Sequence, residues 1–189
     1  MLKIYLADLA NNFVEFDNKT IPIGVGYVGA YCKKRFGNRV DLHVFRTYKA
    51  LRDKVQADPP DVLGLGTYDW NFNLSNKVAE QVKKAHPNCL TILGGANIQS
   101  DPSDNREFLK NNPSVDCLIY DDGEFPFASL IELLLKCTEE DHISFIKRTP
   151  IDGVRSLVDD QIVMGKPNDN VQDLDVIPSP YLLGLFDDL

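Results

Sequence analysis

Short runs of apolar and β-branched residues recur along the first two thirds of the chain, with helical periodicity between them. The runs cover residues 3–7, 40–45, 62–65, 90–93 and 117–120. Helices are predicted over residues 20–36, 48–57, 74–85, 104–112 and 124–136. Because each strand is followed by a helix, the alternation predicts an α/β fold with a parallel sheet.

The predicted sheet has five parallel strands and right-handed crossovers, which is typical of a flavodoxin-like or Rossmann-like, doubly wound fold. We expect the strand order 2-1-3-4-5. Three turn-like segments, residues 20–24, residues 66–69 and Gly94-Gly95, stand close to strand ends on the same edge of this sheet. Since ligands of open α/β sheets bind outside the carboxyl ends of the strands, the sequence indicates a binding site there.

The pattern changes after about residue 140. Residues 153–156 and 161–164 flank Asp159-Asp160, which predicts a small β-hairpin. From Lys166 onward the chain is rich in Asp, Asn and Pro, and it closes on an apolar stretch at residues 181–186. We therefore expect a ligand-binding domain over residues 1–140, followed over residues 141–189 by the hairpin and a linker toward a domain absent from this chain.

The acidic composition of the chain excludes two classes of binding partner. A net charge of −8 and a pI near 4.8 argue against binding to nucleic acid or to anionic lipid, which both need a basic surface. No apolar run approaches the ~20 residues that cross a bilayer, and the first residues enter a strand pattern directly, so we expect a cytoplasmic location. The four cysteines are scattered without metal-ligand spacing, so no metal site is expected.

The glycines at positions 24, 26 and 29 match the dinucleotide-binding string G-x-G-x-x-G. That fingerprint belongs in the tight turn directly after the first strand, whereas here sixteen residues separate Ala7 from Gly24. We interpret these glycines as small residues on a helix that packs closely against the sheet or a ligand.

The order and spacing of three motifs resemble the cobalamin-binding domains of the methionine synthase and mutase type, which carry D-x-H-x-x-G, S-x-L and G-G. In this chain 42 residues separate Gly24 from Thr67, and 24 separate Asp69 from Gly94. The residues of the first motif differ. Lys19 stands at the position of the family's Asp, and Ile21 at the position of its cobalt-ligating His.

Many cobalamin-dependent radical S-adenosylmethionine enzymes have an N-terminal domain of this kind without the histidine, and this chain resembles them. The resemblance rests on residues 21–31, 94–97, 121–127 and 177–182. It implies cobalamin as cofactor, with the nucleotide tail beside Gly94 and Gly95, a hydrogen bond from Thr67, and Ile21 below the ring. The residues expected at the cofactor are Ile21, Gly24, Thr67, Tyr68, Asp69, Gly94, Gly95, Ala96, Gly123 and Glu124.

The resemblance also implies a division of labour. A following domain of the same polypeptide would hold S-adenosylmethionine and a 4Fe-4S cluster on C-x-x-x-C-x-x-C, a motif that this chain lacks. The chain itself is therefore expected to bind the corrinoid without catalysing, in support of methyl transfer or related radical chemistry by that domain. Its expected partners are the corrinoid and the following domain, with no nucleic acid and no membrane.

An alternative from a different class is a stand-alone, receiver-like regulatory or interaction module. Asp8 and Asp69 follow the first and third strands, where a receiver domain holds magnesium. The receiver's lysine after the fifth strand is missing, since Asp121-Asp122-Gly123-Glu124 stands there. Magnesium or a protein partner would bind these acidic strand ends in that alternative.

Overall fold

In the part of the chain that the structure describes, seven strands form one sheet in the order β2-β1-β3-β4-β5-β6-β7. The structure is a computed structural model, and it describes residues 1–10, 20–167 and 173–189. The strands are β1 (Leu2–Ala7), β2 (Val40–Phe45), β3 (Val62–Gly66), β4 (Leu90–Gly94), β5 (Cys117–Ile119), β6 (Val154–Val158) and β7 (Gln161–Met164). The first five are parallel and stand in the predicted order, which confirms that prediction.

The C-terminal hairpin forms as predicted, but its place in the fold was not foreseen. Strand β6 pairs antiparallel with β5, and β7 pairs antiparallel with β6, so the sheet has seven strands and not five. Asp159 and Asp160 make the connecting turn with φ of 49° and 63°, the left-handed pair that a two-residue hairpin turn needs.

Within the described residues, six α-helices accompany the sheet. They are α1 (Ile23–Phe36), α2 (Tyr48–Ala57), α3 (Phe72–Ala85), α4 (Pro102–Asn111), α5 (Glu124–Lys136) and α6 (His142–Arg148). The first five confirm the predicted helices, whereas α6 was not predicted; its cap is Asp141, which accepts a hydrogen bond from the Ser144 amide at 3.0 Å. Among the helices of the described residues, none has the length and apolarity to cross a membrane.

Helix α1 begins at Ile23, three residues after the start of the helix predicted over residues 20–36. Pro22 occupies the cap position, and no side chain caps the helix. The hydroxyl of Thr20 instead accepts a hydrogen bond from Arg46 Nη2, just beyond the end of β2. The loop before α1 is thereby held against the carboxyl edge of the sheet.

The core has two layers, one on each face of the sheet. Helices α1, α5 and α6 cover one face, where Leu6, Ile92 and Phe127 are buried. Helices α2, α3 and α4 cover the other, where Leu63 and Leu93 are buried. Because side chains alternate along a strand, the glycines of β3 and β4 fall on the α1 and α5 side and thin that layer near the carboxyl edge.

Three of the four cysteines are core residues. Cys32, Cys89 and Cys117 are at most 2% exposed, and all four thiols are free. Burial raises the pKa of Cys32 and of Cys89 to about 12, so both remain protonated and unreactive at neutral pH.

Candidate functional site

A cavity of about 240 Å³ opens at the carboxyl edge of the sheet, above strands β1, β3, β4 and β5. The sheet forms one wall, and α1 and α5 form the other through Val25, Val28 and Phe127. Polar groups line only the parts that follow strand ends: Asp8, Tyr68, Asp121, Asp122 and Glu124. This is the edge at which open α/β sheets bind ligands.

The sheet wall of the cavity has two levels. Gly66 pairs with Gly94, and Gly94 with Ile119, at the level of the strand ends. Two residues earlier on the strands, Leu6 pairs with Gly64, and Gly64 with Ile92. With about 3.3 Å per residue, the lower level lies about 7 Å deeper than the upper one.

Missing side chains create this space. A Cβ atom at Gly64 would lie 2.6 Å from Leu6 Cδ2, and one at Gly66 would lie 3.2 Å from Val25 Cγ1. Leu6 and Val25 therefore already pack against these two glycines, and a side chain at either position would have to displace them. Three of the central positions on the two levels are glycines, so the helices approach the sheet closely there and no side chain of Gly64, Gly66 or Gly94 takes up room in the cavity. The result is an apolar slot that descends beside the sheet from the strand ends.

The turn after β4 depends on Gly95. Its φ is +108°, a conformation that residues with a side chain rarely adopt. A Cβ atom there would lie 2.8 Å from the carbonyl oxygen of Thr67 and 3.0 Å from its nitrogen. The Thr67 amide donates a hydrogen bond to the Gly94 carbonyl at 2.7 Å, and the Thr67 hydroxyl donates to it at 2.9 Å, so the two turns are locked together.

We expect Gly95→Ala to lower the free energy of unfolding by about 2 kcal/mol, because the added methyl group meets backbone atoms and the backbone is strained. Urea denaturation of both proteins measures this difference. The matched control is Gly37→Ala, since Gly37 also has a positive φ but has no atom within 4 Å of its Cβ position. If Gly95→Ala cost no more stability than the control, the steric lock would be refuted.

A buried polar network joins the loops that border the cavity. Asn71 donates a hydrogen bond through Nδ2 to Asp8 Oδ1 at 2.9 Å, and its own Oδ1 accepts one from the Tyr68 amide at 2.8 Å. Arg46 lies 3.4 Å from the same Asp8 oxygen through Nη1, and it also donates to the Asp8 carbonyl at 2.8 Å. Together with the Arg46–Thr20 bond, these contacts connect the ends of β1, β2 and β3 to the loop before α1.

Two aromatic rings stand at the cavity mouth. Tyr68 and Trp70 stack with centroids 4.7 Å apart and planes within 3° of parallel, and Trp70 is 55% exposed. The Tyr68 hydroxyl reaches the start of α1, since a Cβ atom at Gly24 would lie 3.5 Å from it. Burial, and then the charge of Asp8, raise the pKa of Tyr68, so its phenol remains a hydrogen-bond donor at neutral pH.

Acidic groups form the opposite side of the mouth, between β5 and α5. Asp121, with φ of 59°, turns the chain, and Asp122 and Glu124 follow it along the rim. Burial raises the pKa of Glu124, and the charge of Asp122 raises it further. These carboxylates can accept hydrogen bonds from amide or hydroxyl groups of a ligand.

A raised pKa of Glu124 means that folding is opposed by its ionisation. Ionisation of Glu124 lowers the free energy of unfolding. This loss is absent below the ordinary pKa near 4.5, grows as the pH rises toward the raised pKa of the folded state, and persists at higher pH. We therefore expect Glu124→Gln to be more stable than the wild type at pH 7 and to lose less stability between pH 4 and 7, as measured by urea denaturation.

Glu132→Gln is the matched control. Lys136 and Arg35 lower the pKa of Glu132, so its ionisation favours folding and the substitution should reduce stability at pH 7. A Glu124→Gln protein less stable than the wild type at pH 7 would contradict the sign derived for Glu124.

The cavity brings together six of the ten residues predicted at the cofactor: Gly24, Tyr68, Gly94, Gly95, Gly123 and Glu124. Thr67 lies beneath the floor, fully buried, with its hydroxyl donated to the Gly94 carbonyl. Ile21 is 46% exposed and outside the lining, and Asp69 and Ala96 are also exposed and outside it. Lys19 falls outside the described residues.

Sequence reasoning missed the apolar slot below the strand ends. Its lining includes Leu6, Gly64 and Ile92. The alternation of side chains along a strand could have identified two of these residues. Gly64 lies two residues before Gly66, at the end of the strand, and Ile92 lies two residues before Gly94, so each shares a face of the sheet with that glycine. The contribution of α1 and α5 to the opposite wall depends on helix packing, which no local pattern specifies.

None of the three histidines, all of which are described, lines the cavity. His43 lies within β2, 3.1 Å from Asp41 Oδ1 through Nε2. His86 is the C-cap residue that follows α3, and Nε2 of His142 lies 3.0 Å from the Asn88 carbonyl oxygen, near the opposite edge of the sheet.

Comparison with known proteins gives a consistent result. The family model described as "B12 binding domain" matches residues 12–131. The chain is 37% identical over 128 residues to 2-(S-pantetheinyl)-carbapenam-3-carboxylate methyltransferase of Streptantibioticus cattleyicolor. It is 36% identical over 128 residues to the cobalamin-dependent radical SAM methyltransferase TokK of Streptomyces tokunonensis. Each match covers 68% of this chain and 17% of the relative, so the chain spans about a sixth of their length.

Among solved structures, the fold matches the cobalamin-dependent S-adenosylmethionine radical enzyme OxsB with aqua-cobalamin and S-adenosylmethionine bound. The TM-score is 0.67 at 17% sequence identity, over 99% of this chain and 25% of that one. At this identity the likeness establishes the fold alone.

Proposed function

The chain belongs to the B12 binding domain family, and from this we propose that its cavity holds the nucleotide tail of a cobalamin while the corrin ring lies across the mouth. The single observation that carries the proposal is the glycine-lined slot at the carboxyl edge of β3 and β4. A bound corrinoid supplies a cobalt ion whose upper ligand can be transferred. The chain's own residues bind and orient it.

The size of the cavity supports this division of the cofactor. Pockets that enclose a drug-sized ligand measure about 300–1,000 Å³, and a corrinoid is larger than such a ligand. A cavity of about 240 Å³ therefore has room for only part of it. The slot below the strand ends is apolar, which suits a planar aromatic base better than the broad ring with its amide side chains.

The mouth offers the contacts that a corrin ring needs. Asp121, Asp122 and Glu124 present carboxylates that can accept hydrogen bonds from the amide N–H groups on the ring's periphery. On the other side, the stacked pair of Tyr68 and Trp70 offers an exposed apolar surface to the ring edge. The polar network of Asp8, Arg46 and Asn71 holds these loops in place.

We propose further that no histidine of this chain coordinates the cobalt. Ile21 occupies the ligand's position in the sequence, and the histidines lie outside the cavity. Ile21 is 46% exposed and lies outside the cavity lining, and we place it below the ring. The cobalt(II) form bound to the chain should therefore show an electron paramagnetic resonance spectrum without nitrogen splitting. Triplet splitting that changes to a doublet when the protein is labelled with nitrogen-15 would contradict this.

A following domain of the same polypeptide is the proposed site of chemistry, with S-adenosylmethionine and a 4Fe-4S cluster used for methyl transfer or related radical reactions. The longer relatives support this, as do apolar side chains exposed around the mouth and on the C-terminal segment. Trp70 is 55% exposed, Tyr181 52% and Leu182 89%. Such residues are typical of a surface that another domain covers.

The geometry does not favour the receiver-like alternative. The Asp8 carboxylate already pairs with the Arg46 guanidinium and the Asn71 amide, and Asp69 lies outside the cavity. Within the described residues, no group of three or more His, Cys, Asp or Glu side chains could hold a metal ion. A magnesium ion would therefore have to displace an existing ion pair.

Titration with hydroxocobalamin, followed in the visible spectrum, tests the proposed function. We expect saturable binding with one site per chain. Absence of binding at high micromolar cobalamin, with the protein folded by circular dichroism, would contradict the proposal. Phosphotransfer from acetyl phosphate to the chain would instead favour the receiver-like alternative.

A further inference from the structure

The deep end of the slot differs chemically from its mouth. Leu6, Gly64 and Ile92 form the sheet side of this level, and Phe127 lies on the helix side. All the polar side chains that line the cavity follow strand ends, about 7 Å higher by the strand rise. Within the described lining, the deep level therefore presents only apolar side chains.

The backbone groups at this level already form hydrogen bonds within the sheet. Leu6, Gly64 and Ile92 are paired neighbours in the central parallel ladder of β1, β3 and β4. Their amide and carbonyl groups are used by the sheet. The Thr67 hydroxyl donates to the Gly94 carbonyl at 2.9 Å, the Thr91 hydroxyl donates to the Ser114 carbonyl, and neither residue lines the cavity. A ligand group buried here would find no hydrogen-bond partner.

We propose that the slot selects corrinoids by their lower base, favouring an apolar benzimidazole over a purine. This rests on the proposed function, because it assumes that the nucleotide tail enters the slot. A dimethylbenzimidazole buries two methyl groups and a fused hydrocarbon ring there. An adenine would bury an amino group and extra ring nitrogens without partners, and unsatisfied buried polar groups weaken binding.

The test compares three corrinoids with the same ring: cobalamin, its adenine analogue, and cobinamide, which lacks the nucleotide. All are used as dicyano forms, so that the base is displaced from cobalt before binding. We expect cobalamin to bind at least tenfold more tightly than the adenine analogue, about 1.4 kcal/mol. Cobinamide should bind no more tightly than the adenine analogue.

A pair of variants locates the selection at the deep level. Gly64→Ser adds a hydroxyl there, and Gly64→Ala adds only the carbon atom; in both, the Leu6 side chain must shift because the new Cβ lies 2.6 Å from Leu6 Cδ2. We expect the preference for cobalamin over the adenine analogue to be about threefold smaller in Gly64→Ser than in Gly64→Ala, since one hydrogen bond is regained. Thermal unfolding verifies that both variants are folded.

The outcomes separate the two proposals. If none of the corrinoids binds the wild-type chain, the proposed function fails and this inference fails with it. If cobalamin binds but the adenine analogue or cobinamide binds as tightly, the proposed function stands and selection by the lower base is overturned. Equal preferences in Gly64→Ser and Gly64→Ala would overturn the assignment of selection to the deep level of the slot.

Discussion

Replacement of Gly94 by phenylalanine is expected to abolish cobalamin binding while the chain remains folded. Gly94 ends β4 on the face that lines the slot, and a Cβ atom there would lie 3.4 Å from the Ile119 carbonyl oxygen, an ordinary contact. A phenyl ring would extend from it into the slot. We expect affinity to fall at least a hundredfold, about 2.7 kcal/mol.

Gly94→Ala is the matched control, because its methyl group fits without reaching across the slot. It should bind hydroxocobalamin within about threefold of the wild type, a difference of less than 1 kcal/mol. Both variants are compared in the same visible titration, and thermal unfolding reports on the fold. Binding of wild-type strength by folded Gly94→Phe would place the cofactor elsewhere.

Replacement of Arg46 by methionine is expected to destabilise the protein and weaken cobalamin binding together. The Arg46 side chain is 9% exposed and that of Asp8 13%, so removal of the guanidinium leaves a nearly buried carboxylate without its ion-pair partner. Such a loss costs about 3 kcal/mol. It would lower the melting temperature of a chain of this size by roughly 6–12 °C.

Cobalamin binding should weaken because Arg46 also donates hydrogen bonds to the Thr20 hydroxyl and the Asp8 carbonyl, which position the loops beside the cavity. Lys49→Met is the control: it breaks the Lys49–Asp53 pair, in which the lysine side chain is 76% exposed, and should change stability by about 0.5 kcal/mol or less. If Arg46→Met melted at the wild-type temperature and bound cobalamin normally, the network would have no role in shaping the site.

The α/β core could be predicted because its signals are local. Strand β2 and helices α2 and α5 begin and end at the predicted residues, since β-branched runs and helical stripes are bounded there by Gly, Pro or polar residues. The Asp159-Asp160 turn was also predicted, because two turn-forming residues between short apolar runs indicate a hairpin. The pairing of β6 with β5 could not be predicted, because it depends on which strand has an unpaired edge once the parallel sheet has assembled.

The site was predictable where it follows backbone geometry and not where it follows packing. Gly94 and Gly95 were identified because a double glycine after a strand indicates close approach to the backbone. Thr67 was expected to contact the ligand, but its hydroxyl is used within the protein, a choice that only the paired turns reveal. Arg46 gave no sequence signal, since its partners are 26 and 38 residues away.

Hydrogen exchange of the chain with and without cobalamin locates the cofactor. Exchange reports local opening, so a ligand that spans the mouth should slow exchange in the three loops around it: residues 66–71, 94–101 and 120–124. The turn between β6 and β7 should be unchanged, because it lies at the far edge of the sheet. Protection confined to segments away from these loops, while the spectrum reports bound cobalamin, would contradict a corrinoid site at the carboxyl edge.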